Sequence, residues 1–517
     1  MIKKFSISTG SIEEPDISVT PRIPVVNEKL KIFAKVRGNT ELIPVKFVFI
    51  TPDGTQIILD GRAETFDTEN GFVDYACEWT PSGTGFHRLQ VEIHPPNTDA
   101  ESVEIVFPVV WTRMHVLSWH NPESCRWVGT GVYVPEDETA FFPYWRRRGS
   151  KVLGLMHICV FELCKLSREE IIKTVVSRAE TIAGLGYDGI LIDELGSYAN
   201  ESRIKHVAIL DEAFQIVNKR FPDLQVYNWT SGGMLREEAC MAQKNGHVLM
   251  TEIYAEHLIS NFGTHSFPKH LEHRFEVIRN SDALFNHNSK SCAIAALGVG
   301  GVCGSCQKPV VEERIRMIKR IAPEAPGICY YPGGPAKKYW NDKNFNYQAF
   351  LDELFEKYFI NPVIMLRESA IMPKNSDFKA KQLNKIIVQV HNCGGMKAKN
   401  IRINLSARHL KTNVVQDIAV QVIPEISNGI IKKERLEFDG DEYFDTVKIN
   451  ETTYPISWPS ESNYRPWGNI YADRALVEFE WKPDKSGYWE ILAEVIPDGN
   501  YTVLDGTWTL IAFVNEK

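Results

Sequence analysis

From residue 1 to about 110, apolar and polar positions alternate with a period of two. Leu30-Lys31-Ile32-Phe33-Ala34-Lys35-Val36 shows the pattern, as does Val45-Lys46-Phe47-Val48-Phe49-Ile50, which runs into the turn Thr51-Pro52-Asp53-Gly54. Half-buried strands at this spacing, with no helical stretch between them, predict a β-sandwich. The last third has the same texture, in Ile386–His391, Ile401–Leu405 and Ala475–Trp481. The two ends also share a repeat. Glu78–Ile93 aligns without gaps on Glu480–Val495, setting Trp79 on Trp481, Pro81 on Pro483, Gly85 on Gly487 and Phe86 on Tyr488. The shared unit reads as strand, tight turn, strand. Its tryptophans are expected in the sandwich cores, because large aromatics contribute most when buried.

The middle changes character. Short apolar runs alternate with amphipathic stretches, the mark of strands buried on both faces between helices. Strands are expected at Val116–His120, Val152–Ile158, Gly189–Asp193, Leu224–Trp229, Val248–Tyr254, Leu284–His287, Gly300–Gly304 and Gly327–Tyr331. Helices are expected at Arg168–Leu185, Arg203–Arg220, Met234–Asn245, Pro268–Arg279 and Val310–Ile321, the first opened by a capping box of Ser167 and Glu170. Eight strands with intervening helices predict a central (β/α)8 barrel of the TIM type. The Gly- and Ala-rich stretch Cys292–Cys306 also reads as helix or loop. A doubly wound open sheet would give the same alternation, but no GxGxxG follows the first strand. The expected organisation is a sandwich over 1–112, a barrel over 113–372 and a second sandwich over 373–517, both sandwiches immunoglobulin-like.

A chain of 517 residues is too long for one core. Its net charge of -8 argues against a nucleic-acid surface, and no apolar run reaches membrane-spanning length. Met1-Ile2-Lys3-Lys4-Phe5-Ser6 has a positive start with no apolar run behind it, which leaves an intracellular protein and a processed export form equally open. Ten cysteines fall at irregular spacings, several inside apolar runs such as those around Cys159 and Cys329, as expected of reduced, buried thiols. Cys303-Gly304-Ser305-Cys306 is a lone CxxC and reads as structural.

In a barrel of this kind the chemistry sits at the C-terminal ends of the strands. Those ends carry Trp119 and His120, His157, Asp193 and Glu194, Asn228 and Trp229, Glu252 and Tyr254, Asn286 and His287, and Tyr330 with Tyr331. Aromatic faces stack on sugar rings, while carboxylates and amides bond hydroxyls, so the set suits a carbohydrate. There is no Walker motif, no HxH and no HExxH, and neither a cofactor nor a metal is expected. Glycoside hydrolysis needs two carboxyl groups across the scissile bond. Glu194 is the candidate general acid and Glu252 its partner base or nucleophile. Asp193 would tune or orient, although Asp193 and Glu252 can exchange roles. Trp119, His120, His157, Asn228, Trp229, Tyr254, Asn286, His287 and Tyr330 would bind substrate. Two other readings fit the same residues. One is a non-catalytic glycan-binding protein; the other is a metal-dependent hydrolase using His120, His157, Asn286 and His287.

Gly186-Tyr187-Asp188-Gly189-Ile190-Leu191-Ile192-Asp193-Glu194 resembles the G-[FY]-D-G-[IV]-φ-φ-D-E strand of several TIM-barrel glycoside hydrolase families, and is distantly similar to that of the spherulin-4-like enzymes. Relatives of those enzymes cleave α-linked galactosamine-containing polysaccharides. They pair an Asp-Glu strand end with a later strand-end Glu, which the resemblance places at Glu252. The resemblance covers the barrel alone. The C-terminal module is similar to adhesion-type immunoglobulin-like domains appended to carbohydrate-active enzymes. Three smaller features complete the reading. Asp439–Asp445 reads as a solvated acidic turn, and Trp458 with Tyr464-Arg465-Pro466-Trp467 as a glycan platform or a rim loop. Arg146-Arg147-Arg148 reads as a solvated helix terminus.

Overall fold

The computed structural model describes residues 17–37, 43–67, 72–94, 101–118, 126–127, 129–158, 163, 165–195, 201–230, 236–253, 267–283, 292–298, 307–331, 347–367, 370–374, 377–426, 445–449, 452–456 and 474–516. These fall into two compact units. The first is drawn from Met1–Arg314, Ala325–Glu353 and Asp439–Ser460, the second from Ile315–Glu324, Leu354–Phe438 and Glu461–Lys517.

In the first unit eight strands close a barrel: β1 (His115–Ser118), β2 (Gly131–Tyr133), β3 (Lys151–His157), β4 (Gly189–Leu195), β5 (Gln225–Thr230), β6 (Val248–Ile253), β7 (Cys292–Gly298) and β8 (Gly327–Tyr331). Every neighbouring pair is parallel, and β8 returns to β1 with Gly327 opposite His115. The helices of the chain's middle are α1 (Phe142–Arg147), α2 (Arg168–Gly184), α3 (Glu201–Arg220), α4 (Arg236–Asn245), α5 (Phe267–Ala283), α6 (Lys308–Ile321) and α7 (Tyr347–Phe355). The Ser167–Glu170 capping box opens α2 as expected.

Two strands differ from the sequence reading. The ring uses Gly131–Tyr133 and Cys292–Gly298, so it closes without Leu284–His287 and Gly300–Gly304, both of which lie outside the described residues. β7 pairs with β6 on one side and β8 on the other, and this double pairing makes a strand of an Ala- and Gly-rich segment with little β-propensity of its own.

Alternation along the strands separates two cores. Leu117, Leu153, Leu191, Tyr227, Trp229, Val248, Met250, Ile294, Ala296 and Cys329 fill the lumen. Val132, Val152, Met156, Ile190, Ile192 and Val226 pack outward with helical residues such as Val175, Ile182, Leu210 and Phe214.

Before the barrel, two four-stranded antiparallel sheets, Ile17–Thr20/Leu30–Arg37/Phe72–Trp79/Arg62–Asp67 and Gln56–Asp60/Val45–Ile50/Gly85–Ile93/Glu101–Val109, share one core. The arginine triplet joins this sandwich to the barrel rather than ending in solvent. Arg147 donates to Asp74 of the sandwich at 2.8 Å, and Arg146 binds Asp188. Arg148 is buried and donates to the Tyr144 hydroxyl at 2.5 Å. The second unit is also a sandwich. Its five-stranded sheet of Phe378–Lys379, Thr507–Asn515, Gly487–Ile496, Ala398–His409 and Val415–Ile426 faces one built on Asn384–Asn392. Trp79 and Trp481 are both buried, and Gly85 and Gly487 both take positive φ (132° and 117°), so the sequence repeat corresponds to one structural unit used twice.

Candidate active site

At the C-terminal mouth of the barrel, alternation decides which strand-end residues meet. Leu153 and Leu155 line the lumen on β3, which puts His157 on the same side; Leu191 does so for Asp193, and Val248 and Met250 do so for Glu252. His157 and Asp193 stand level in the β3–β4 register, with Nδ1 3.9 Å from the Asp193 Oδ2. His157 is open to solvent and Asp193 largely covered, with side-chain exposures of 70% and 24%. Trp229 of β5 and Tyr331 of β8 meet edge to face, their centroids 5.7 Å apart.

The β4–β5 register slips at this point. Ile192 faces Asn228 and Leu195 faces Thr230, so three residue steps on β4 match two on β5. The extra residue falls at Asp193-Glu194. A bulge of this kind turns a side chain that strict alternation would send to the other face. The backbone of Glu194 belongs to β4, but its side chain lies outside the described residues. Beside Glu252, β7 offers Ala296 in direct register, followed on the same face by Gly298. Above Ile294, therefore, the lumen face of β7 carries nothing larger than a methyl group.

The structure does not bring Asn228 or Tyr330 to this group. Both fall between lumen-facing neighbours, so they turn toward the helical layer, and both are fully buried. The amide nitrogen and oxygen of Asn228 have no hydrogen-bond partner among the described residues. Trp119, His120, Tyr254, Asn286 and His287 lie outside the described residues, as do Asp439–Glu442, Trp458 and Tyr464–Trp467. So do the segments that follow β1 and β3 to β8 at this end, except Ile158 directly after β3. Of the residues named for a metal, only His157 is described, and among the described residues no group of three His, Cys, Asp or Glu side chains is placed to hold one. Tyr133 was missed by the sequence reading. It lines the lumen from β2, and burial together with Asp137 and Glu136 pushes its hydroxyl pKa up. The short Gly131-Val132-Tyr133-Val134 alternation was the available signal.

No protein-family model matches the chain, and no curated protein matches it. Among solved structures, a cell-surface-expressed multi-modular chitinase of Paenibacillus sp. overlaps 98% of this chain at 8% identity with a TM-score of 0.33; the chain spans 52% of that enzyme. A family 39 glycoside hydrolase of Bacteroides cellulosilyticus overlaps 79% of this chain and 98% of its own length, at 10% identity and a TM-score of 0.31. The CARDB domain of a Pyrococcus furiosus protein overlaps 30% of this chain and 91% of its own, at 12% identity and a TM-score of 0.18. Overlaps this loose carry no argument about activity. The barrel assignment rests on the closed ring of parallel strands.

Proposed function

We propose that the chain is a glycoside hydrolase acting on an oligo- or polysaccharide at the C-terminal mouth of the barrel. The observation that carries this reading is the alternation that turns Asp193 and Glu252, two strands apart, to the same lumen. Tyr331, half-buried and braced edge to face by the buried Trp229, supports it as an aromatic surface for a sugar ring. Glu194 serves as general acid, Glu252 as base or nucleophile, and Asp193 orients or polarises from the bulge. The spherulin-4-like resemblance rests on the Gly186–Glu194 motif and favours an amino-sugar polymer as substrate. The flanking sandwiches, over 1–112 and 373–517, are read as immunoglobulin-like accessory modules.

The test is release of reducing ends from a polysaccharide panel by wild type, Glu194→Gln and Glu252→Gln. Loss of a catalytic acid or base is expected to lower the rate by roughly 10²- to 10⁴-fold while the fold is kept. Release that survives both substitutions would place the chemistry elsewhere, and a wild type that binds saccharides without cleaving them would make the chain a glycan-binding protein.

A further inference from the structure

A cavity of about 790 Å³ lies at the opposite end of the barrel, between the N-terminal ends of β1, β3 and β5 and the first sandwich. Its volume is that of a small-molecule site rather than of a single ion. Lys151, the first residue of β3, lines it and is half-buried. Among the described residues no hydrogen bond or ion pair reaches the Lys151 ammonium. Burial and the neighbouring Arg113 both push its pKa down, with Asp188 acting in the other direction. Asp188 is already committed: it accepts from Arg146 at 2.8 Å and from the Val152 N–H at 2.9 Å. Arg113 is likewise paired with Glu28 at 2.7 Å. A partly desolvated cation whose nearest carboxylate is already shared with an arginine is costly, and an anion relieves that cost.

A second donor stands on the same floor. His115, at the start of β1, lines the cavity, and its Nδ1 lies 3.4 Å from the Tyr227 hydroxyl. Burial pushes the Tyr227 pKa up, so the hydroxyl keeps its proton. Burial first, then Lys151 and Arg113, push the His115 pKa down to about 3, so the ring is neutral. The bond can run either way between the neutral ring and the hydroxyl, and an anion in the cavity would select the tautomer in which Tyr227 donates to Nδ1 and Nε2 carries the ring proton. Across the cavity, Phe33 of the sandwich presents an aromatic ring with Lys31 4.8 Å from its centroid.

We propose that this cavity binds a small oxyanion-bearing molecule of monosaccharide size, its carboxylate or phosphate held by the Lys151 ammonium and the His115 Nε2–H, with Phe33 against its ring or carbon skeleton. The site is separate from the mouth of the barrel and does not depend on the glycosidase reading.

Titration calorimetry of the full chain with inorganic phosphate, glucuronate and uncharged glucose tests it. One or both anions are expected to bind at a single site, and glucose is not. Binding by phosphate identifies a phosphate ligand, binding by glucuronate a carboxylate. Lys151→Met is expected to weaken anion binding by roughly ten-fold or more, the worth of a hydrogen bond to a charged group. Lys29→Met, which also lines the cavity but on the sandwich side, 67% exposed and paired with Glu78, is expected to leave it unchanged. No binding of either anion at millimolar concentration, or equal binding by Lys151→Met, overturns the proposal. If Lys151→Met does not fold, the wild type carries the test: bound anion should shield Lys151 from acetylation and leave Lys29 reactive, and labelling of Lys151 unaltered by anion overturns it.

Discussion

Asp188 sits at the N-terminal end of β4, a full strand away from the mouth, and the residues beside it show what most of the Gly186–Glu194 motif is for. Gly186 takes a positive φ of 84° to leave the turn after α2. The Tyr187 hydroxyl donates to the Val134 carbonyl at 2.8 Å. A Cβ on Gly189 would lie 2.4 Å from the Gln225 carbonyl oxygen of β5, closer than any real contact. These four residues close the barrel, and only Asp193 and Glu194 reach the other end. The motif that resembles barrel glycosidases is therefore largely a barrel-closing motif, which is why it read so clearly for fold and less so for chemistry. Two predictions belong to this scale. Asp188→Ala strands the Val152 N–H in a partly buried position and should cost about 1–3 kcal/mol, nearly all of it from that bond, because the Arg146 pair is solvent-screened. An unchanged urea midpoint would refute this. Gly189→Ala should force β4 from β5 and cost about 1–3 kcal/mol in the same assay, with a wild-type midpoint counting against the clash.

Among the elements, legibility followed the strength of each segment's own pattern. β3, β4, β5, β6 and β8 are apolar runs ending in polar residues, and the sequence announces them. β2 has three residues, too few to establish a period. β7 places Ile294, Ala296 and Gly298 on the lumen side, and with one β-branched residue among seven its strand character comes mainly from its two neighbours. The bulge at Asp193-Glu194 was invisible for a related reason, since register belongs to a pair of strands and a sequence shows one at a time. Helix α2 is the opposite case, because its signal is local. The Ser167 side chain accepts from the Glu170 N–H at 3.3 Å, and a Glu170 carboxylate oxygen accepts from the Ser167 N–H at 2.8 Å. Ser167→Ala should cost about 1 kcal/mol of stability, measured by denaturant unfolding. The Ser167 N–H first, and then the Ser167 side chain, hold the Glu170 carboxyl below its usual pKa. Its contribution is thus present above the ordinary Glu range and lost as pH falls through the lower folded-state value. A Glu170→Ala penalty that failed to shrink on acidification would show the capping box to be inert.

For the molecule as a whole, the first unit is built on histidines that must stay neutral. His115 opens β1 and His247 stands directly before β6, where its ring packs edge-on against Phe214 with centroids 4.7 Å apart. Burial pushes each of them down to about 3, and His87 in the sandwich core moves the same way. In the unfolded chain a histidine titrates near 6.5. Between that value and about 3 the unfolded state binds more protons than the folded one, so stability falls as pH falls. The full contribution is present above about pH 6.5 and is gone once pH has passed through the folded-state value. Each such histidine contributes a slope of up to about 1.4 kcal/mol per pH unit in that window. The interval from pH 6.5 to 5 isolates the effect, because ordinary carboxylates are still ionised there. Hydrogen exchange of the barrel strands across that interval should show protection declining by the uptake of about two protons, and His115→Gln should remove about one of them. Protection that stayed level from pH 6.5 to 5 would mean that these rings accept protons inside the folded barrel. The neutral His115 that orders the floor of the anion cavity would then be lost as well, which ties the acid stability of the fold to the chemistry of the site beneath it.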